Sequence, residues 1–349
     1  MTSRDRLGHV EDDDRAASGV DGQTRRAARL LLGGEPRYTR IEAARLADVP
    51  LERADQLWRS LGYPTPRDSD RVFADADVAA LRTMAGLREA GITDSTSELA
   101  LARAVGQAMA RLSESQVALL RKLATAEPAA SRDPEAAAGS ALAAAEPLLP
   151  RVESLQSYVW RRHLLAASER MLIATPDRDG ETAEVVVGFV DVAGFTSLTR
   201  GLTERRLAEF LETFESGVSA AVTKHGGRVV KTVGDEVMFA ADTSKAAANI
   251  ALDLADRVSD LDGRPDLHTG LALGPVLHRL GDLYGTVVNL AARLTALARP
   301  GTVLVDRELA GVLGDDPAYE LRRLRRASVR GFSHLQPWLL RRGVTAPPP

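Results

Sequence analysis

The hydrophobic rhythm of this chain changes after Glu184, and that change sets what each half can fold into. Before it, apolar residues return at steps of three and four. After it, unbroken apolar runs of strand length alternate with amphipathic helical segments. EVVVGFVDV (184–192) reads as a buried strand, and TERRLAEFLETFESGVSAAV (203–222) as a helix with Leu207, Phe210, Leu211, Phe214 and Val218 facing inward. RVVKTV (228–233) and EVMFAA (236–241) are short strands flanking Gly234-Asp235, with a helix following over 244–261. LHTGLALGPVL (267–277) is a strand, VVNLAARLTALA (287–298) a helix and TVLVD (302–306) a strand. LRRLRRASVRGFSHLQPWLL (321–340) reads as strands joined around Arg330-Gly331. This alternation predicts an α+β or α/β sandwich of about 160 residues.

The first half is helical. Residues 1–22 lack hydrophobic period and read as a disordered tail, and a helical domain is expected over 23–150. Within it, Ser95-Thr96-Ser97-Glu98 has capping-box spacing, and Ala102, Val105, Met109 and Leu112 follow along one helix face. Residues 127–150 carry four Pro and nine Ala, a pattern of short helical pieces broken by turns. A connector is expected over 151–180: a helix from Arg151 to Ile173, then a break at Pro176 and Gly180. Val152, Leu155 and Val159 mark one of its faces and Trp160, Leu164, Ala167 and Met171 another, which suggests contact with more than one neighbour. The catalytic-type domain then spans 181–342, with a tail over 343–349.

Charge and composition remove some function classes. With 45 basic against 48 acidic residues and a formal charge of −3, the chain has no global electrostatic footprint for nucleic acid. The absence of cysteine excludes disulfides, thiolate zinc sites and a cysteine nucleophile. No apolar run approaches the ~20 residues of a membrane helix and the N-terminus has no signal-peptide core, so the expectation is a cytoplasmic protein. Only four of the 45 basic residues are Lys, at 122, 224, 231 and 245. Each retained Lys therefore invites a reason.

Three clusters in the second half point to chemistry. In Phe189-Val190-Asp191-Val192-Ala193-Gly194-Phe195-Thr196, a carboxylate leaves the end of a buried strand, Gly194 permits close backbone approach, and Thr196 opens a helix whose free N–H groups can hold phosphate oxygens. In Lys231-Thr232-Val233-Gly234-Asp235-Glu236, a tight turn places Asp235 at its tip and Lys231 four residues earlier. Two carboxylates on adjacent strands suit divalent cations bridging a triphosphate. In Asp282-Leu283-Tyr284-Gly285-Thr286-Val287-Val288-Asn289-Leu290-Ala291-Ala292-Arg293, Asn289 and Arg293 share one face of an otherwise apolar helix. Such a polar pair needs partners, which a ribose and a phosphate would supply.

Together these residues resemble the catalytic domain of class III nucleotidyl cyclases, over about residues 182–342 and including the closing VRGFSHLQPWLL. The resemblance implies a ferredoxin-like, palm-like βαββαβ sheet. It implies Asp191 and Asp235 as ligands of two Mg²⁺ or Mn²⁺ ions, with the Val192 backbone carbonyl as a further ligand. It places Gly194, Phe195 and Thr196 at the substrate, Lys231 and Asp282 at the purine, Asn289 at the ribose, and Arg293 at the phosphate in the transition state. It also implies a head-to-tail homodimer, because in the family metals and purine-reading residues come from different subunits.

The purine choice follows from donor and acceptor chemistry. Lys donates only and fits adenine N1, while a carboxylate accepts from the exocyclic amine. Guanine presents the opposite edge there, and an unpaired buried group costs about 1–3 kcal/mol. The expectation is an adenylate cyclase that converts ATP to 3′,5′-cyclic AMP and pyrophosphate.

The first half has two readings. Tyr38 to Tyr63 has the cadence of a helix-turn-helix, but Glu52 and Asp55 sit beside Arg53 and Arg59 on the second helix, a poor phosphate-facing surface. Residues 24–172 also resemble the helical regulatory domain of a subset of bacterial cyclases in which pH sets activity. His163, beside Arg161 and Arg162 on the connector, is then the candidate sensor. A proton or a lipid is the expected regulatory ligand, and no nucleic acid is expected. His225, His268 and His278 lack paired ligand spacing and are expected to be structural. Two alternatives remain: a DNA-binding regulator with a nucleotide-sensing half, and a guanylate or diguanylate cyclase suggested by Gly234-Asp235-Glu236. The diguanylate pattern expects a Gly and a Phe where Val233 and Val237 stand.

Overall fold

The structure, a computed structural model, describes residues 22–125, 142–143, 145–173, 182–259 and 266–343. Most of the expected N-terminal tail, most of the Pro- and Ala-rich stretch, the break at 175–181 and all but Gly343 of the C-terminal tail lie outside these residues. The chain divides into two compact units between Glu169 and Arg170.

The first unit is helical. A helix over 22–32 (α1) is followed by α2 (Arg40–Ala47), α3 (Leu51–Leu61), α4 (Asp75–Glu89), α5 (Ser95–Thr125) and α6 (Leu149–Ile173). Its core is small: Ala43, Ala44, Ala47, Ala54, Leu57, Trp58, Val78 and Leu81, with Trp58 stacked on Phe73 at 4.3 Å between ring centroids. Helix α2 has a true capping box, Thr39 with Glu42.

The box expected at Ser95 is different. Asp94 Oδ1 accepts the N–H groups of Thr96 and Ser97 at 2.8 and 2.7 Å, while Glu98 is buried and pairs with Arg53 of α3. A buried carboxylate needs a cation more than it needs a backbone N–H. Arg53 is thereby committed to helix packing, and α3 lies against α5, where Leu61 crosses so close to Gly106 that a Cβ there would sit 2.3 Å from the Leu61 carbonyl oxygen. Among the described residues, the apolar stripes of α6 have no partner: Leu155, Val159, Trp160, Leu164 and Met171 are exposed, as is His163. Val105, Met109 and Leu112 of α5 are likewise exposed, and of that row only Ala102 is buried.

The second unit is built on a mixed sheet. Its elements are β1 (Thr182–Val192), α7 (Phe195–Thr199), α8 (Glu204–Lys224), β2 (Arg228–Val233), β3 (Glu236–Ala241), α9 (Ser244–Ser259), β4 (Leu267–Arg279), β5 (Asp282–Tyr284), α10 (Thr286–Leu297), β6 (Val303–Val305), α11 (Arg307–Leu313), β7 (Tyr319–Arg323), β8 (Ala327–Val329), β9 (Phe332–Leu335) and β10 (Trp338–Arg342). Strand order is β2-β3-β1-β4-β6-β10-β7, with β5 paired to β4 and β8-β9 forming a separate hairpin. The first half of this order is the expected βαββαβ arrangement, with β1 in the middle.

Alternation along β1 explains why both faces of the sheet are covered. Val186, Val190 and Val192 point toward α8, α9 and α11, and Val185, Val187 and Phe189 toward α10. The inward list for the first sheet-covering helix holds only in part. Phe214 and Val218 are buried together with Ala221 and Val222, whereas Leu207, Phe210 and Leu211 are half-buried in the N-terminal part of α8, where Phe195 and Phe210 meet at 6.2 Å. Helix α11 was not legible, being two turns long. It is capped by Asp306, whose Oδ1 accepts the Leu309 N–H at 3.0 Å.

Two features bring the functional strands to their places. Helix α10 runs close over β4 because residue 270 is Gly: a Cβ there would lie 2.2 Å from the Thr295 nitrogen. A register shift between Val229 and Lys231 in the β2–β3 pairing sets Lys231 opposite Met238, a residue of the α10-facing core.

Candidate active site

Asp191 is the next-to-last residue of β1, and the pairing places Glu236 of β3 and His268 of β4 directly opposite it on either side. Paired residues leave the same face of a sheet, so all three point to the side covered by α10. Asp235 sits beside Glu236 in the turn, where Gly234 adopts a φ of 65° that an L side chain rarely takes. The resulting crowd of acids has a clear electrostatic signature. Burial, with the neighbouring Asp191 carboxylate, pushes the Asp235 carboxyl above its ordinary value. Burial, then Asp191 and Asp235, does the same to Glu236. Carboxylates crowded in this way are in a setting that a divalent cation relieves.

The donor set fits hard cations. Two carboxylates and the Val192 carbonyl offer oxygen donors of the kind such ions prefer, and the Val192 side chain is committed to the opposite core. Among the described residues no group of three His, Asp or Glu side chains forms a closed metal cage.

His268, expected to be structural, stands against one of the candidate metal carboxylates. Its Nε2 lies 2.9 Å from Asp191 Oδ2 and its Nδ1 3.2 Å from the Ala298 carbonyl, with Asp191 the largest cause raising its pKa. The signal was absent from local spacing because the contact is made only by the β1–β4 register. His225 is structural, as expected: its Nε2 meets Asp253 Oδ2 at 2.7 Å. His278 is exposed near the end of β4, with its pKa lowered by desolvation and then by the nearby Arg228.

The purine pair forms within one chain. Lys231 Nζ lies 2.5 Å from Asp282 Oδ2, bringing β2 and β5 together, and Asp282 Oδ1 accepts the Leu283 N–H at 2.8 Å. Asn289 and Arg293 lie one turn apart on α10, Asn289 exposed and Arg293 half-buried, and among the described residues neither side chain has a hydrogen bond or ion pair. Gly194, in the left-handed region at φ 73°, caps the five-residue helix α7 that holds Phe195 and Thr196. The structure thus gathers Asp191, Asp235 and His268 at one end of the central strands, pairs Lys231 with Asp282, and among the described residues leaves the Asn289 and Arg293 side chains without a hydrogen bond or ion pair. His163 belongs to the other unit.

Residues 179–342 match the adenylate and guanylate cyclase catalytic domain family. An adenylate cyclase of Streptomyces coelicolor is 38% identical over an alignment of 357 residues, covering 94% of this chain and 92% of its own. One from Glutamicibacter nicotianae is 38% identical over 332 residues, covering 90% and 81%, and one from Streptomyces griseus 39% identical over 317, covering 89% and 78%. With the catalytic-domain match and relatives aligned along nearly the whole length, the chain belongs to the class III nucleotidyl cyclase family, that of the adenylate and guanylate cyclases.

Proposed function

We propose that this protein is an adenylate cyclase that converts ATP to 3′,5′-cyclic AMP and pyrophosphate. The observation that carries the choice of base is the Lys231–Asp282 pair at 2.5 Å. It presents a donor-only and an acceptor-only group side by side, which matches adenine N1 and its 6-amino group and mismatches guanine. The relatives covering most of this chain bear the same activity in their names.

In the proposed reaction the ribose 3′-oxygen attacks the α-phosphorus, the bond to the β-phosphate oxygen breaks, and the hydroxyl proton leaves to solvent. Lys231 and Asp282 hold the base. The Asn289 amide, exposed and without a partner in its own chain, orients the ribose, and Arg293 meets the charge that grows on the α-phosphate. Gly194, Phe195 and Thr196 border the triphosphate. Asp191, Asp235 and the Val192 carbonyl would hold two Mg²⁺ or Mn²⁺ ions, which supply acidification of the 3′-hydroxyl and neutralisation of the triphosphate when bound.

The reading includes a head-to-tail homodimer, supported by the partnerless Asn289 and Arg293. Mixing Asp191→Ala with Lys231→Ala, each impaired alone, should give a mixed dimer more active on ATP than either variant by itself; no gain would overturn the shared site. The primary experiment incubates the purified full chain with Mg²⁺ or Mn²⁺ and either ATP or GTP, and identifies the product by chromatography. Cyclic GMP in place of cyclic AMP, or no product at all, would overturn the proposal.

The proposal extends to control by the helical unit. It is supported by relatives that align with both halves of the chain and by α6, which carries His163 and leads toward the catalytic domain. His163 is exposed. A pH–activity profile of full-length His163→Gln that superimposes on that of the unaltered protein would remove His163 as a sensor.

A further inference from the structure

Asp191 and His268 are 77 residues apart in the chain and stand directly opposite each other in the antiparallel pairing of β1 with β4. The imidazole is held at both nitrogens. Nδ1 faces the carbonyl of Ala298, which closes α10, and Nε2 faces Asp191 Oδ2. The second oxygen of Asp191, Oδ1, accepts the Val192 N–H at 3.0 Å. One contact on each oxygen fixes the plane of the carboxylate, and a carboxylate has about four lone-pair sites, so others stay open to a cation. The ring is itself largely enclosed, its side chain 16% exposed, and it is anchored to a helix that packs tightly over Gly270. Asp235, by contrast, rides on the Gly234 turn.

We propose that His268 is a positioning residue for the metal-binding carboxylate Asp191. It sets the orientation in which Asp191 meets a divalent cation, and so controls metal affinity without touching nucleotide. This rests on the metal-dependent cyclase reading above. The physical reason is preorganisation: a carboxylate already locked by a neighbour loses little freedom when the cation arrives, and such supporting partners are worth about 10–100-fold in metal affinity or activity.

The test is Mn²⁺ binding to the full chain without nucleotide, read from the paramagnetic resonance signal of the free ion. His268→Leu fills the volume without a donor, and His268→Gln retains one. The expected result is binding weakened about tenfold or more in His268→Leu and recovered in part in His268→Gln, with KM for Mn²⁺ rising more than kcat falls. Thermal unfolding establishes that both variants are folded; where His268→Leu melts early, His268→Ala, which also lacks a donor, replaces it. Affinity equal to or tighter than that of the unaltered protein in the donor-less variant overturns the positioning role. Asp191→Ala separates the two levels. If it binds Mn²⁺ normally, the metal reading fails and the role of His268 falls with it. If it loses binding while His268→Leu keeps it, only the positioning role is refuted.

Discussion

Replacing Asp253 by Asn should loosen the catalytic unit by an amount that depends on pH in a calculable way. Asp253 lies on α9 and is buried, yet three nitrogen groups converge on it: Lys224 Nζ at 2.8 Å, His225 Nε2 at 2.7 Å and Arg342 of β10 at 2.6 Å. Burial alone would push its carboxyl up, but the hydrogen bonds from these three outweigh it and bring the pKa from 3.8 down to about 2. A depressed pKa means that the unfolded chain binds more protons over this range, so stability rises with pH through it. At about 1.36 kcal/mol per unit, the ionised carboxylate contributes about 2.5 kcal/mol at pH 7. The contribution is complete above the unfolded value, falls to about 1.3 kcal/mol at pH 3, and is nearly gone as the pH drops through about 2. Asn keeps the shape and removes the charge, which imitates the protonated state. Urea unfolding followed by circular dichroism at pH 7 and pH 3 measures the difference between the two proteins. The transition of the catalytic unit should shift by about 2–3 kcal/mol at pH 7 and by about half of that at pH 3. A shift below about 0.5 kcal/mol at pH 7, or one of equal size at both pH values, would refute the reasoning.

Three further outcomes follow from the packing and the site. Gly270→Ala drives a Cβ into the backbone of α10, at 2.2 Å from the Thr295 nitrogen; it should cost at least about 1–3 kcal/mol in a thermal melt and lower kcat by displacing Asn289 and Arg293. Arg53→Ala strands the buried carboxylate of Glu98, so the helical unit should lose about 3–5 kcal/mol while the transition of the catalytic unit stays in place. Lys231→Ala should reduce kcat/KM for ATP by about 10–100-fold and for GTP much less; equal losses in steady-state assays with both nucleotides would refute its role in reading the base.

Much of the catalytic unit was legible because its signals are local. The strands 228–233 and 236–241 have the expected bounds, and the strand bearing Asp191 and the helix bearing Asn289 and Arg293 lie within two residues of theirs. Period-two and period-3.6 patterns are written into short windows, and Gly234 announces its own turn. The misreadings share a cause. Leu207 and Leu211 have the spacing of core residues but sit where α8 leaves the sheet, and the stripes of α6 are apolar without being buried. Periodicity identifies a face; it does not say what, if anything, covers it. Glu98 has the spacing of a capping residue and was taken by an arginine 45 positions away.

The family, most of the succession of strands and helices, and the residue types available for chemistry were legible in the sequence, because each rests on patterns a few residues long. Lys231, one of four lysines among 45 basic residues, stood out on that basis alone. Only the tertiary structure decided which side chains meet. The ion pair of Lys231 with Asp282 spans 51 residues, and His268 stands against Asp191 across 77. Both contacts depend on strand register, and a slip of one residue would turn every side chain to the other face. Register is set by the two cores packed on opposite sides of the sheet, by the shift between Val229 and Lys231, and by the close approach of α10 over Gly270. These are global conditions that no short stretch of sequence carries.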